Sequence, residues 1–114
     1  MIVKYRELSY PNEIKLETIQ EVRGTTAKAI LHIKTSEGIS FDLTLLKPKV
    51  LPVSANSLPA LFNGLDVKQV NCLKIFGRSD SKSPQEIRWK KIEIWRSDGS
   101  IDIIQCGEIQ GLPS

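Results

Sequence analysis

Alternation of apolar and polar residues gives the clearest structural signal in the chain; it occurs on both sides of residues 36–38, and only Ile30 breaks it. The apolar positions of this pattern are Ala27, Ala29, Leu31, Ile33, Ile39, Phe41, Leu43 and Leu45. A period of two residues is typical of a strand with one buried face. Between the two runs, Ser36-Glu37-Gly38 predicts a three-residue loop whose glycine adopts a positive φ. The segment therefore predicts a β-hairpin.

The segment before this hairpin fits two structures. Asn12 as a cap and Gly24 as a stop would suit a helix. On such a helix, however, Ile14 would lie far from the stripe formed by the other apolar side chains. Alternation of apolar and charged residues favours a strand instead, although Ile19 falls on its charged side. We predict a strand that turns at residues 23–25.

Prolines change the pattern in the middle of the chain. Pro48 and Pro52 cannot donate hydrogen bonds to a sheet, so no central strand is predicted around them. Ser57 can cap a short helix and Gly64 can end it. We predict that helix at residues 58–63, with its apolar side chains covering an open end of the sheet.

Residues 70–76 alternate again, but both of their faces carry apolar groups. This pattern predicts a strand that is covered on both sides near its end. Residues 77–84 are rich in serine and aspartate, and their composition predicts a polar loop.

Asp98 and Gly99 give the strongest turn signal in the chain. They suit the two central positions of a type I′ turn, where both residues need a positive φ. In that register, Ile92 and Ile94 share an apolar face with Ile101 and Ile103, across a second hairpin.

The strand that leads into this turn changes parity near Trp89. A β-bulge at Lys90 and Lys91 would bring Trp89 onto the same face as Ile92. A regular strand would instead place Trp89 and Trp95 together on the opposite face. The sequence leaves both arrangements open.

Together these elements predict an all-β antiparallel fold with a minor helical part. We expect one domain over residues 1–114, with a meander of about six or seven strands that forms a small barrel or a sandwich. The composition agrees, since 40% of the 114 residues are hydrophobic and 25% are charged, which excludes a disordered chain.

Residue types that carry chemistry are few. His32, Cys72 and Cys106 are the only histidine and cysteines, and none lies within four positions of another. Structural zinc sites usually draw on close pairs of such ligands, so we predict no metal and no cofactor. Neither a nucleophile elbow nor a phosphate-binding glycine loop is present, and we do not expect an enzyme.

The compartment follows from the N-terminus and the thiols. Three of the first seven residues are charged, no apolar signal segment follows them, and no stretch is suited to cross a membrane. Two cysteines do not make a disulfide framework in a chain of this size. We therefore expect a soluble cytoplasmic protein with two reduced thiols and no membrane partner.

Positive charge is concentrated in residues 74–96. This window holds seven basic and three acidic residues, a net charge of +4, whereas the whole chain carries +3. Both tryptophans, Trp89 and Trp95, lie in the same window. Cations interleaved with aromatic residues are typical of single-stranded nucleic-acid binding and of protein interfaces.

Two functions are therefore predicted for the C-terminal hairpin. The first is a non-enzymatic binding or adaptor module that contacts a protein partner or a second copy of the chain. The alternative is a weak, sequence-tolerant domain that binds single-stranded nucleic acid. The candidate binding residues are Arg78, Arg88, Trp89, Lys90, Lys91, Trp95 and Arg96.

Overall fold

Eight strands and one short α-helix form the described part of the chain. The structure is a computed structural model that describes residues 2–51, 57–80 and 83–113. In chain order the elements are β1 Ile2–Ser9, β2 Glu13–Val22, β3 Thr25–Lys34, β4 Ser40–Leu46, β5 Lys49–Leu51, α1 Leu58–Asn63, a 3-10 turn Val67–Gln69, β6 Val70–Asp80, β7 Ser83–Arg96 and β8 Ile101–Gln110. The predicted fold class, all-β with a minor helix, is confirmed.

The strands form one antiparallel sheet in the order β1-β6-β7-β8-β4-β3-β2, and β5 also pairs with β8. The sheet thus consists of two meanders, β2-β3-β4 and β6-β7-β8, which are joined where the end of β4 pairs with the end of β8. β1 adds to the outer side of β6. β1 and β2, which are consecutive in sequence, therefore lie at opposite ends of the strand order.

One hydrophobic cluster draws on both meanders and on the helix. Its buried members are Ile14, Ala29, Leu31, Ile33, Leu43, Leu45, Val50, Leu58, Leu61, Phe62, Val70, Leu73, Ile75, Ile92, Ile94, Ile104 and Ile109. Since side chains alternate between the faces of a strand, the neighbours of these residues lie on the outer faces of the two meanders.

The first hairpin is confirmed. Thr35 N donates to Ile39 O at 2.9 Å, so Ser36-Glu37-Gly38 is a three-residue loop, and Gly38 adopts a φ of 89°. The strand predicted before it is also confirmed as β2. It turns into β3 through Arg23 and Gly24, which both have a positive φ.

Ile19 lies on the charged side of a regular β2, but a bulge changes its direction. Leu16 pairs with Leu31, whereas Thr18 pairs with Ile30, so residue 17 is an extra residue in β2. Beyond the bulge, Ile19 pairs with the buried Ala29 and shares its face. The misplaced apolar residue was thus the sequence signal of the bulge.

The predicted helix is confirmed at the predicted residues. Ser57 Oγ accepts from Ala60 N at 3.4 Å, and Gly64 follows the last helical residue. The buried side chains Leu58, Leu61 and Phe62 join the core cluster. The strand β5 that precedes the helix is short and ends at Leu51, and Pro52 lies outside the described residues.

The predicted polar loop at residues 77–84 is wrong. β6 continues through Asp80 and β7 begins at Ser83, while residues 81 and 82 lie outside the described residues. The small residues Gly77 and Ser79 are both buried on the core side of β6, beside β7. The small side chains in this segment therefore leave space for β7 and do not indicate a loop.

The predicted register of the second hairpin is also wrong. Arg96 N donates to Ser100 O at 3.0 Å, and Gly99 N donates to Arg96 O at 3.0 Å. The loop therefore has three residues, with Gly99 at a φ of 89°. Such a loop needs positive φ only at its last residue, so Asp98 does not have to adopt it.

This register decides which residues of β8 face the core. Ile94 pairs with Asp102 and Ile92 pairs with Ile104, so these residues share the buried side. Ile101 pairs with Trp95 on the outer side. The predicted common face of Ile92 and Ile94 with Ile101 and Ile103 does not form.

Candidate functional site

A bulge in β7 separates the two tryptophans. Phe76 of β6 pairs with Lys91, and the next residue, Gly77, pairs with Trp89, so Lys90 is the extra residue. Of the two arrangements that the sequence left open, the structure has the bulged one. Trp89 packs against the hydrophobic core, and Trp95 lies on the outer face.

A second irregularity faces this bulge in β8. Trp89 pairs with Ile109 and Lys91 pairs with Gln105, so residues 106–108 all lie opposite Lys90. Lys90 Nζ donates to Gly107 O at 2.5 Å and thereby bridges the interrupted ladder. The side chain of Lys90 is therefore held in place between the two strands.

A third irregularity lies on the other side of β8. Leu46 pairs with Glu108 and Lys49 pairs with Gln105, so Lys47 and Pro48 interrupt the strand pairing at the same level. Lys47 has a φ of 51°, and its N–H donates to Ala27 O at 2.9 Å. Three neighbouring strands are thus irregular at one level of the sheet.

A surface cavity of about 630 Å³ opens at these irregularities. Five of its lining residues are cationic: Lys47, Lys49, Arg78, Lys90 and Lys91. None of the lining residues whose side chains the structure describes is a carboxylate. A recess lined by charges of one sign concentrates the electrostatic potential, so this cavity attracts anions.

Apart from Lys90, three of the five cations have no ion-pair partner among the described side chains. Lys91 Nζ lies 3.2 Å from Glu93 Oε2, and Lys90 is bonded to a carbonyl. Lys47, Lys49 and Arg78 form no ion pair with any carboxylate whose side chain the structure describes. Their charge is therefore not neutralised by those carboxylates.

Aromatic side chains continue from the cavity along the outer face of the sheet. Phe76 lines the cavity and stacks on Tyr5, with the ring centroids 5.8 Å apart. Lys91 Nζ lies 4.6 Å from the centre of the Phe76 ring, and Lys74 Nζ lies 4.1 Å from the centre of the Trp95 ring. Lysine and aromatic residues thus alternate across this face.

The structure separates the seven predicted binding residues. Arg78, Lys90 and Lys91 line the cavity, and the exposed Arg88 pairs with Arg78 across the strands. Trp89 faces the core.

The other two predicted binding residues, Trp95 and Arg96, each contact a carboxylate of the protein itself. Trp95 Nε1 donates to Glu93 Oε1 at 3.1 Å, and Arg96 Nη2 lies 2.5 Å from Asp102 Oδ2. The positively charged segment 74–96 thus supplies some of the cavity-lining residues, together with residues whose side chains bond within the protein.

Sequence reasoning missed the contributions of other segments. Lys47 lies between β4 and β5 and Lys49 begins β5, while Tyr5 and Val3 come from β1. Lys47 and Lys49 flank Pro48, which marks the strand interruption. That local signal indicated the irregularity, but it did not indicate that β7 lies nearby.

Both thiols have a pKa above that of an ordinary cysteine. Burial raises the pKa of Cys106, which lines the cavity, to about 12. Burial, followed by a hydrogen bond with Glu7, raises the pKa of Cys72. Because the thiolate is the reactive form, the raised pKa lowers the reactive fraction of both thiols.

His32 lies on the other meander, between two carboxylates. Its Nε2 is 3.3 Å from Glu13 Oε2, and its Nδ1 is 3.0 Å from Asp42 Oδ1. A carboxylate therefore faces each ring nitrogen of His32. Across the described ranges, no three His, Cys, Asp or Glu residues are grouped as metal ligands.

No protein-family model, curated protein or solved structure matches this chain. Among the residues that the structure describes, no helix combines the length and the hydropathy needed to cross a membrane. The function is therefore inferred from the cavity and its surroundings.

Proposed function

We propose that this protein is a non-enzymatic binding module that holds nucleic acid by its phosphates in the cationic cavity. The observation that carries the proposal is the convergence of Lys47, Lys49, Arg78, Lys90 and Lys91 on one cavity whose described lining has no carboxylate. Phosphate contacts by lysine and arginine supply most of the affinity of sequence-independent nucleic-acid binding.

The arrangement of these cations supports a repeating anion. They come from β5, β6, β7 and the link between β4 and β5, and they line a cavity of about 630 Å³, which lies within the usual range for ligand sites. Arg88 lies across from Arg78 and extends the positive surface beyond the cavity. A nucleic-acid backbone presents one phosphate per nucleotide and can meet several such cations at once.

Binding without catalysis is favoured by the residues near the cavity. The Cys106 thiol is neutral because its pKa is raised to about 12, and His32 belongs to the other meander. Both cysteines are free, which agrees with our proposal of a reducing, cytoplasmic location.

A protein partner, or a second copy of the chain, is the second candidate. Trp95 and Ile101 pair across β7 and β8 on the outer face, and Ile101 is 38% exposed. Tryptophan beside an exposed aliphatic side chain is typical of an interface hot spot. Such an interface would be largely apolar and would respond weakly to salt.

Fluorescence anisotropy of a labelled oligonucleotide tests the first proposal. For the three phosphate contacts that Lys47, Lys49 and Arg78 can make with a single strand, the affinity should fall roughly twentyfold between about 50 and about 200 mM salt. Lys49→Glu should weaken binding to all sequences and reduce the salt slope by about one. Lys68→Glu, an exposed lysine of the 3-10 turn, is the matched control and should bind like the wild type.

The alternative outcomes identify the other candidate. If the wild type does not bind the oligonucleotide at low salt, or if both variants lose affinity equally, the cavity is not a nucleic-acid site. Salt-independent self-association in sedimentation, abolished by Ile101→Ser, would support the protein interface instead.

A further inference from the structure

Tyr5 is an exposed aromatic side chain at the side of the cavity. It lies in the middle of β1, yet 59% of its surface is exposed. Val3, two residues earlier on the same face of β1, lines the cavity. Two residues along a strand span roughly 7 Å, so the Tyr5 ring lies within the reach of one nucleotide from the cavity.

The Tyr5 ring is held in place from one side. It stacks on Phe76 with an angle of 29° between the ring planes. Phe76 is half-buried and also contacts Lys91, which lines the cavity. An aromatic ring that is fixed from behind needs little further ordering when a flat ligand stacks on it.

The two tryptophans are less suited to this role. Trp89 packs against the core, and the Trp95 ring has the Lys74 ammonium over it. Tyr10 is 68% exposed but lies beyond the end of β1 and is not among the cavity-lining residues.

We propose that Tyr5 stacks on a nucleobase and that the module therefore prefers single strands to duplex. The inference rests on the proposed function, because the phosphates in the cavity bring the base to the ring. Bases in a duplex are already stacked on each other, whereas every base of a single strand offers a free face to an aromatic side chain.

The test uses three variants of the full chain with three probes. Tyr5→Leu removes the ring, Tyr5→Phe keeps it, and Tyr10→Leu removes the other exposed tyrosine as the matched control. The probes are a labelled single-stranded oligonucleotide, its duplex, and an abasic strand of the same length. Thermal unfolding of each variant shows that it is folded at the temperature of the titration.

Tyr5→Leu should weaken single-strand binding roughly tenfold, while its salt slope stays unchanged because the phosphate contacts remain. Tyr5→Phe and Tyr10→Leu should stay within about twofold of the wild type. Tyr5→Leu should bind the abasic strand and the duplex as the wild type does. The wild type should itself bind the single strand more tightly than the abasic strand.

The outcomes separate this inference from the proposed function. If Tyr5→Leu binds single strands like the wild type while Lys49→Glu still weakens binding, the stacking role is wrong and the phosphate site stands. An equal loss in Tyr10→Leu, or equal wild-type affinity for the single and abasic strands, also overturns the stacking role. If the wild type binds no oligonucleotide, the proposed function fails and the inference fails with it.

Discussion

The indole of Trp89 packs directly over Gly77. A Cβ on residue 77 would lie 2.8 Å from Trp89 Cε3 and 2.7 Å from Ile87 Cγ2, which is too close for either contact. Gly77 thus provides the space that lets the bulged strand direct Trp89 towards the core.

Gly77→Ala should therefore destabilise the protein by about 1–3 kcal/mol, because β7 must shift to admit the methyl group. Chemical denaturation of the variant measures this loss. Gly64→Ala is the matched control, since a Cβ there meets only Ala60 O at an ordinary 3.7 Å. Equal stability of Gly77→Ala and the wild type would show that the Trp89 ring does not pack as described.

Asp98 makes the stability of the second hairpin depend on pH. Ser100 Oγ and Ser100 N donate to Asp98 Oδ1 at 2.6 and 2.8 Å, and these bonds lower the pKa of Asp98 from its ordinary value of 3.8. The folded state therefore favours the carboxylate. Its contribution is present above the ordinary pKa and is lost as the pH falls through the lowered one.

The variant Asp98→Asn keeps an acceptor oxygen but does not titrate there. The difference in melting temperature between wild type and Asp98→Asn should be constant near neutral pH. As the pH falls below about 4, the melting temperature of the wild type should fall relative to that of Asp98→Asn. Thermal scans from neutral to acidic pH measure it. A difference that is the same at every pH would mean that the Ser100 bonds do not favour the carboxylate.

Cys106 should react slowly in the native protein. Its pKa is raised by burial to about 12 from an ordinary 9.0, so its thiolate fraction falls on the order of a thousandfold at mildly alkaline pH. Iodoacetamide labelling of the Cys72→Ser variant, followed by mass spectrometry in native buffer and in denaturant, isolates this residue. Comparable rates in the two conditions would show a reactive thiol in the cavity.

Local sequence patterns predicted much of the fold. The hairpin around residues 36–38 follows from alternation and one glycine, and the helix Leu58–Asn63 follows from Ser57 and Gly64. These features depend on neighbours a few residues apart, where backbone preferences and side-chain periodicity decide. The register after Asp98 was not determined, because Asp-Gly fits both a two-residue and a three-residue loop.

Part of the candidate site could also be predicted. The concentration of charge in residues 74–96 identified Arg78, Lys90 and Lys91, and the parity change at Trp89 indicated a bulge. The parity change did not show that Trp89 and Trp95 would lie on opposite faces, since that depends on whether the sheet has room for the bulge. The space above Gly77 provides that room for the Trp89 ring.

By itself, the sequence determined the strand periodicity, the short helix and the excess of positive charge near the second hairpin, because each is a property of adjacent residues. Only the tertiary structure decided which cations share a cavity and which aromatic ring lies beside it. The pairing of β5 with β8 brings Lys49 to the cavity that Arg78 and Lys91 also line. The pairing of β1 with β6 brings Tyr5 against Phe76. Such pairings join residues far apart in the chain, where burial of the whole core, and not local preference, sets the register.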